Sequence, residues 1–215
     1  MPCNCCEITD SQFDESRAKD DITDYRKIGP AKQTKLILEA VRYLQLKNAS
    51  LLDVGGGIGA IYHELMQDVV SNVIHVDASS AYLKVAKEES VKRGKVDFIK
   101  FIHADFTDVE KEIEKTDIVT LDRVVCCYPD YRALLTAAGK HSKRALVMTY
   151  PRETWYFKIT LGIINFFQKL SRDPFRVFIH PVYQMESLLN ILGFSRTSTK
   201  RLFVWEMSLY EKEAI

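Results

Sequence analysis

The residues best suited to bind a ligand lie in one short stretch, LLDVGGGIGA, which runs from Leu51 to Ala60. An acid at Asp53 is followed by four glycines within five positions, at 55, 56, 57 and 59. Each glycine costs backbone entropy on folding, so glycines gather where a chain turns sharply or touches a ligand. Because the stretch follows an apolar run and precedes a helical pattern, it predicts a strand-to-helix turn whose free N–H groups can hold a ligand.

Two ligand classes fit this loop. Gly55, Gly57 and Ala60 satisfy the G-x-G-x-x-G/A fingerprint of dinucleotide sites, and Asp77 lies 22 residues after Gly55, where an acid would bind a ribose. The same loop also reads D-x-G-x-G-x-G from Asp53. This second pattern resembles motif I of the class I S-adenosylmethionine-dependent methyltransferases. The loop by itself leaves open a nicotinamide-dependent oxidoreductase and a non-catalytic cofactor-binding module.

Three later motifs resemble the same methyltransferase family over about residues 29–150, and the resemblance implies S-adenosylmethionine as the cofactor. In that family the loop acid attracts the cationic amino group, directly or through water, the next acid accepts from the ribose hydroxyls, and later positions face the adenine and the sulfonium. The cofactor-binding residues so implied are Asp53, Gly55, Gly57 and Gly59 in the loop, Asp77 and Ala78 in VDAS, Asp105 and Phe106 in HADF, and Asp122 in DIVTLDRVV.

Strand and helix patterns alternate along the chain, which predicts an α/β fold with a parallel sheet covered on both faces. Strands are predicted at 51–54, 73–76, 98–103, 117–121 and 144–150, with helices at 30–46, 58–69, 81–93, 131–138 and 181–193. Two last strands, at 195–200 and 202–210, are expected to form an antiparallel hairpin at the sheet edge. With the family resemblance, the expected fold is a Rossmann-like, doubly wound, seven-stranded mixed sheet with an inserted helical cap before the last helix.

Residues 1–28 are polar and acidic, which predicts an N-terminal tail with at most a short helix, followed by one methyltransferase domain at 29–215. Cys3, Cys5 and Cys6 offer soft metal ligands, but a structural zinc site needs four ligands and no second cysteine pair is near. We therefore expect an oxidation-prone tail and no bound metal.

The segment at about 152–180 interrupts the strand–helix rhythm and contains TWYFKITLGIINFF. Its place after the fifth strand puts it at the carboxyl edge of the sheet, where ligands bind. We expect a helix at 155–167 that caps an apolar or aromatic small-molecule substrate. Packing against the core and contact with a membrane surface are the alternatives.

Candidate catalytic residues are few. His180 and Tyr128 are the candidate general bases, although a carboxylate acceptor would need no base. Arg123 and Arg176 are candidates to pair with an acidic substrate. Cys126 and Cys127 are expected to be core residues, because free cysteine is often buried as a small hydrophobe.

A narrower resemblance concerns the C-terminal third. ALVMTYP, FRVFIHP and ESLLNILGF resemble the layout of the magnesium-protoporphyrin O-methyltransferases, whereas CNCC and LDRVVCCYPD are more similar to a bacterial group of methyltransferases placed near that family. The resemblance implies methyl transfer to a small apolar or aromatic acceptor at oxygen, with carboxyl methylation of a tetrapyrrole as the alternative.

Composition bounds the remaining functions. The net charge of +1 gives no bulk field for nucleic acid. The N-terminus does not have the pattern of a signal peptide, and no run is apolar enough to span a bilayer. The five cysteines are an odd number in two tight clusters, which is a poor framework for disulfides and indicates a reducing compartment. We expect a cytoplasmic protein without stable membrane insertion, although peripheral membrane contact is possible. The sequence does not predict an oligomeric state.

Overall fold

The computed structural model describes residues 10, 12–170 and 175–213. Seven strands form one sheet in the order β3-β2-β1-β4-β5-β7-β6. The strands are β1 (Ala49–Val54), β2 (Val70–Asp77), β3 (Ile99–His103), β4 (Thr116–Asp122), β5 (Ser142–Pro151), β6 (Phe194–Arg201) and β7 (Trp205–Lys212).

Helices cover both faces of this sheet. They are α1 (Glu15–Ile28), α2 (Lys32–Tyr43), α3 (Ala60–Leu65), α4 (Ser80–Lys92), α5 (Phe106–Val109), α6 (Tyr131–His141), α7 (Trp155–Leu170) and α8 (Val182–Ile191). The expected α/β architecture, with a seven-stranded mixed sheet and an inserted helix before the last one, is confirmed.

Side chains alternate between two cores because successive residues of a strand point to opposite faces. Leu51 of β1 belongs to the core that includes Ile37 of α2, whereas the next residue, Leu52, belongs to the core that includes Leu134 of α6. The central strands are buried on both sides, which is why they read as continuous apolar runs.

The parallel register brings the ligand-facing ends of the strands to one edge. Asp53 of β1 is paired with His75 of β2 and Thr120 of β4, so the carboxyl ends of these strands lie side by side. β7 runs antiparallel to both β5 and β6. The predicted hairpin is therefore confirmed, and β7, its second strand, adds to β5 while β6 forms the edge.

The expectation of a tail with at most a short helix is wrong for residues 15–28. They form α1, a helix of 14 residues whose N-cap is Asp14, and the Asp14 side chain accepts a hydrogen bond from the Arg17 N–H. Ala18, Ile22 and Tyr25 are buried at helical spacing. These three positions are enough to dock the helix, but in the sequence the many charged residues between them conceal the pattern. Residues 3, 5 and 6 lie outside the described part of the chain.

Other boundaries differ by a few residues. The helix predicted at 58–69 is confined to Ala60–Leu65, and the strand predicted at 73–76 extends over Val70–Asp77. No helix within the described residues is long and apolar enough to cross a membrane.

Candidate active site

The glycine loop joins β1 to α3 through left-handed backbone conformations. Gly55 and Gly57 have φ angles of 60° and 57°, which side chains other than glycine adopt with strain. A β-carbon at Gly55 would lie 2.5 Å from a methyl group of Val124, so this position also has no room for a side chain. The Gly55 N–H donates to the Val76 carbonyl at 2.7 Å, which ties the loop to β2.

Asp77 at the end of β2 holds the loop from the other side. Its Oδ2 accepts from the Gly57 N–H and its Oδ1 accepts from the Ser79 N–H, both at 2.8 Å. Burial raises the pKa of this carboxyl, although the two backbone donors oppose the shift. A carboxylate offers about four lone-pair positions, so Asp77 keeps capacity for two further donors such as ribose hydroxyls.

Asp53 lies directly beneath the loop and is fully buried. Its Oδ1 accepts from the Thr120 hydroxyl at 2.6 Å, whereas its Oδ2 has no hydrogen-bond partner within the described structure. Burial raises its pKa to about 7. Asp53 and the ring of His75 both lie against Gly56. Burial lowers the pKa of His75 to about 3, so this ring is neutral and provides no positive charge to balance Asp53. The orphaned oxygen fits a cationic donor supplied by a ligand.

Asp105 forms a polar cluster at the start of α5. Its Oδ1 accepts from the Thr107 N–H at 2.9 Å and from the Tyr128 hydroxyl at 2.6 Å. Burial and the neighbouring Asp105 raise the pKa of Tyr128, so its phenol keeps its proton at neutral pH. The next residue, Phe106, is buried beside the cluster. The Tyr128 hydroxyl therefore holds Asp105, the residue predicted to face the adenine, and Tyr128 is poorly suited to act as a general base.

Asp122 ends β4 and is held by two hydroxyls. Its Oδ2 accepts from Thr34 of α2 at 2.6 Å, and its Oδ1 accepts from Thr149 of β5 at 2.5 Å. The next residue, Arg123, has a φ of 62° and points a half-exposed guanidinium toward the cleft, with Nε 3.7 Å from Asp122 Oδ2. The turn after β4 thus places a cation beside the buried carboxylate.

Helix α1 supplies a wall that the sequence did not reveal. Phe13, Arg17 and Asp21 line the cleft from this side. Asp21 Oδ2 accepts from the Tyr82 hydroxyl of α4 at 2.5 Å, and the Tyr82 ring lies 3.5 Å from where a β-carbon of Gly57 would be. Helix α1 therefore covers the glycine loop through Tyr82.

A further part of the wall comes from the insertion and from β7, and it meets the first where the Phe175 ring lies 5.8 Å from that of Phe13. Phe175, Val177 and Trp205 line it, and the side-chain amide of Asn165 in α7 donates to the Val177 carbonyl at 3.0 Å. The segment after α7, rather than any side chain of α7 that the structure describes, reaches the cleft. The insertion lies at the carboxyl edge as expected, and its action as a cap stays a prediction.

Cys126 and Cys127 also line the cleft. Their sulfur atoms are 3.7 Å apart. Cys126 is buried, as expected of a core residue, whereas Cys127 is half-buried at the cleft surface. The hydrogen bond from Cys126, together with Arg123 and Arg17, lowers the pKa of Cys127. The expectation of simple core packing is thus wrong for Cys127.

The cleft has a volume of about 440 Å³, within the range of roughly 300–1,000 Å³ for small-molecule sites. A second concavity, of about 560 Å³, is lined by Lys115 and Ser142 at the amino ends of β4 and β5 and contains none of the predicted site residues. The predicted site residues that line the 440 Å³ cleft are Gly55, Gly57, Asp77, Ala78, Asp105, Phe106, Asp122 and Tyr128.

Three predicted site residues do not reach the cleft wall. Asp53 lies behind the loop. Gly59 begins α3 and leaves space for the Tyr62 ring. His180 is half-buried, with Nε2 3.0 Å from the Tyr128 carbonyl and its ring 4.5 Å from that of Tyr131. Burial lowers the His180 pKa. Since a carbonyl only accepts, Nε2 is the donor in this contact. His180 therefore holds the backbone at Tyr128 and has no Nε2 lone pair free to act as a general base.

The structure separates the two arginines predicted to pair with an acidic substrate, Arg123 and Arg176. Within the described residues no three His, Cys, Asp or Glu side chains cluster in a way that could hold a metal ion. The Arg176 Nη1 donates to the Phe175 carbonyl at 2.6 Å, and Arg176 does not line the cleft. Of the described residues, Arg17 and Arg123 are the cations that line the cleft.

Comparisons with known proteins decide between the two ligand classes. Residues 52–144, which contain the glycine loop, Asp77, Asp105 and Asp122, match the family described as "Methyltransferase domain". The antiparallel β7 also departs from the six-stranded order 3-2-1-4-5-6 of dinucleotide-binding sheets. Residues 52–144 therefore carry a methyltransferase domain of the S-adenosylmethionine-dependent kind.

Solved structures agree with this fold. The magnesium protoporphyrin IX methyltransferase of Synechocystis PCC 6803 was solved with bound S-adenosylhomocysteine. It shares 17% identity with this chain at a TM-score of 0.73, over 98% of this chain and 100% of that one. An O-methyltransferase family protein of Burkholderia thailandensis shares 13% identity at a TM-score of 0.69, over 95% of this chain and 62% of that one. No curated protein sequence matches the chain.

The cleft fits the cofactor of this enzyme class. When bound, S-adenosylmethionine supplies an electrophilic methyl group on a cationic sulfur. In this chain Asp77 keeps lone pairs for hydroxyl donors, and the orphaned Asp53 oxygen lies behind the glycine loop, from where its charge would act on the cationic amino group across the loop. The positive-φ glycines leave the main chain open to close approach.

Proposed function

We propose that the methyltransferase transfers a methyl group to the carboxylate oxygen of a small apolar or aromatic acid. The observation that carries this proposal is the combination of an aromatic wall with two arginines in one cleft. Phe175 and Trp205 line one side, and Arg17 and Arg123 line the same cleft. Aromatic groups bind an apolar body, and guanidinium groups pair with a carboxylate.

The absence of a well-placed base among the described residues favours the same acceptor. The Tyr128 hydroxyl is engaged with Asp105 and its pKa is raised, and the His180 Nε2 faces a carbonyl. A neutral phenol or alcohol acceptor benefits from a base, whereas a carboxylate is already a nucleophile at neutral pH. The chain's own contribution is then to orient the acceptor and to exclude water from the cleft.

We propose the following division of roles for the cofactor-binding residues. Asp53 acts on the amino group from behind the loop, the loop of Gly55 and Gly57 contacts the cofactor through its backbone, and Asp77 accepts from the ribose hydroxyls. Asp105, Phe106 and Ala78 form the adenine end. Asp122 lies near the sulfonium, and Gly59 shapes the start of α3 behind the loop.

Carboxyl methylation of a tetrapyrrole is the second candidate. It is favoured by the shared fold with the Synechocystis magnesium protoporphyrin IX methyltransferase, and tetrapyrroles combine an aromatic body with carboxylates as the cleft requires. Their size would leave much of the ring outside a cleft of about 440 Å³ that also holds the cofactor. A smaller acid therefore fits the described walls better.

The test is a methyl-transfer assay with labelled S-adenosylmethionine and matched acceptors. We expect label in aromatic and aliphatic carboxylic acids, and its release by mild base, because esters hydrolyse and ethers do not. Transfer to the corresponding phenols or amines, with base-stable label, would overturn the proposal. Magnesium protoporphyrin is included to test the second candidate, and Asp77→Ala serves as the cofactor-binding control.

A further inference from the structure

Two adjacent thiols lie in the wall of the cleft and have no part in the function proposed above. Cys126 and Cys127 belong to a short 3₁₀ helix, Val125–Cys127, that follows β4. Their sulfur atoms are 3.7 Å apart, and both residues line the cleft. Both thiols approach the Arg123 carbonyl, Cys126 at 3.2 Å and Cys127 at 3.6 Å. The backbone therefore holds the two sulfur atoms side by side.

The two thiols differ in access and in acidity. Cys126 is 3% exposed, whereas Cys127 is half-buried at the cleft surface. The hydrogen bond from Cys126, together with Arg123 and Arg17, lowers the pKa of Cys127. The same contact and burial raise the pKa of Cys126. An accessible thiolate beside a protonated thiol is the arrangement of a redox-sensor cysteine with its resolving cysteine.

The pair does not suit a metal ion. In the part of the chain that the structure describes, no third His, Cys, Asp or Glu side chain joins a cluster that could hold one. A zinc site needs at least three protein ligands. Oxidation of the pair by two electrons requires only the two sulfur atoms that are already in contact.

We propose that Cys126 and Cys127 are an oxidation site for hydrogen peroxide, with Cys127 as the attacking thiol and Cys126 as the resolving thiol. The Cys127 thiolate attacks one peroxide oxygen, so that an S–O bond forms, the O–O bond breaks and the other oxygen leaves as hydroxide, which takes a proton to become water. The Cys126 sulfur then attacks the Cys127 sulfur, and the S–S bond forms as the S–O bond breaks. The second oxygen leaves with the Cys126 proton as water, so two thiols are oxidised and one peroxide is reduced to two waters.

A disulfide between neighbouring residues is strained. Consecutive Cα atoms are about 3.8 Å apart across a trans peptide, which is less than the usual separation of roughly 4.4–6.8 Å in disulfides. The sulfur atoms must also approach from 3.7 Å to about 2.05 Å. Closing the bond therefore has to move the turn that carries both residues. Because strain makes a disulfide easier to reduce, the site suits reversible oxidation.

The turn that must move is bonded to two parts of the cleft wall. The Cys126 carbonyl accepts from the Phe178 N–H of the insertion at 2.7 Å. Tyr128, which follows the pair, donates its hydroxyl to Asp105 at 2.6 Å, and its carbonyl accepts from His180 Nε2 at 3.0 Å. Oxidation should therefore disturb the insertion and Asp105 together and weaken cofactor binding. This consequence rests on the adenine role proposed for Asp105, whereas the oxidation itself does not depend on the acceptor.

Peptide mapping after peroxide treatment is the first test. The full chain is used in a background that leaves Cys126 and Cys127 as its only thiols, with Cys3→Ser, Cys5→Ser and Cys6→Ser. Trypsin cleaves after Arg123 and Arg132, so residues 124–132 carry both thiols in one peptide. We expect hydrogen peroxide to remove two hydrogen atoms from this peptide without linking two chains, and dithiothreitol to restore them.

Single serine variants in the same background test the two roles. Cys126→Ser should stop at a sulfenic acid on Cys127, trapped by dimedone, because no resolving thiol remains. Cys127→Ser should stay unmodified at the same peroxide dose, since its remaining thiol is buried. Equal oxidation of the two variants would contradict the assignment of attacking and resolving thiols.

Cofactor affinity is the second readout. Titration with S-adenosylhomocysteine should show that the oxidised protein binds roughly tenfold or more weakly than the reduced protein, the scale for losing a hydrogen bond to a charged acceptor. Dithiothreitol should restore the affinity. Cys127→Ser is the matched control, because peroxide should leave its own affinity as it was before treatment.

Three results would overturn the inference. These are a peptide 124–132 that keeps both thiols free while glutathione in the same tube is oxidised, a disulfide that links two chains, and an oxidised protein that binds S-adenosylhomocysteine as tightly as the reduced one. Normal binding by the reduced protein beside any of these results would contradict the oxidation site alone. Absence of binding by the reduced protein would instead contradict the methyltransferase proposal.

Discussion

At the residue scale, the buried Asp53 makes cofactor binding depend on pH. Its pKa of about 7 in the free protein means that half of the molecules carry a neutral carboxyl near neutrality, whereas a cationic amino group favours the ionised form. We expect S-adenosylmethionine affinity to rise about tenfold from pH 6 to pH 8. Calorimetric titration of the wild type and Asp53→Asn tests this, and an equal rise in the variant would contradict the assignment.

The same carboxyl has the opposite effect on stability. Its pKa is raised on folding, so its contribution to stability is fully present below the unfolded value near 4 and is lost as the pH rises to about 7. Chemical denaturation of the two proteins should show Asp53→Asn gaining stability relative to the wild type over this window. A difference that is constant with pH would mean that Asp53 is ionised in the free protein.

Gly57 and Asp77 form one contact, and we expect the glycine substitution to be the more damaging. Asp77→Ala should weaken cofactor binding by about 1.5–3 kcal/mol, the range for hydrogen bonds to a charged acceptor. Gly57→Val should cost more, because a β-branched residue resists a φ of 57°. Titration of both folded variants measures this, and normal binding by Gly57→Val would reduce the loop to a structural turn.

Cys127 should be the more reactive thiol of the cleft. The hydrogen bond from Cys126 and the neighbouring arginines lower its pKa, while Cys126 is buried with a raised pKa. The thiolate is the reactive form, so we expect iodoacetamide to modify Cys127 before Cys126. Peptide mapping by mass spectrometry at increasing times measures the order, and faster labelling of Cys126 would contradict the described burial.

At the element scale, we expect that α1 forms one wall of the cleft and can be displaced without unfolding the sheet. Ala18 lies on the inner face of α1 and is fully buried. Ala18→Glu should therefore displace the helix while the sheet stays folded, and S-adenosylhomocysteine affinity should fall. Lys19→Gln changes the net charge by the same amount at an exposed neighbour and serves as the control. If Ala18→Glu binds as tightly as the control, with unchanged circular dichroism, α1 contributes nothing to the site.

At the scale of the whole molecule, the cofactor should stabilise the single fold that holds its site. A ligand at 100 times its Kd adds about 2.7 kcal/mol of stability, which corresponds to roughly 5–10 °C in Tm for a domain of this size. We expect S-adenosylhomocysteine to produce this shift and NAD to produce none. Thermal unfolding with each ligand measures it, and a shift with NAD alone would contradict the methyltransferase assignment.

The sequence by itself determined the sheet and the motifs at its carboxyl edge. Periodicity marks Leu51–Val54 and its neighbours as buried strands, and fixed spacing along parallel strands must bring Gly55, Asp77, Asp105 and Asp122 to one edge. Local rules suffice there, because strand order and handedness leave few alternatives.

Only the tertiary structure decided what covers that edge. Helix α1 reads as a polar tail because three buried positions among many charges leave little periodic signal, and its docking depends on Tyr82 of a distant helix. His180 and Tyr128 carry the residue types of general bases, but their partners, a carbonyl and a carboxylate, come from contacts that no spacing encodes. The exposure of Trp155, Ile159 and Ile163 on α7 is likewise a property of packing, since an apolar helix in sequence is expected to be buried.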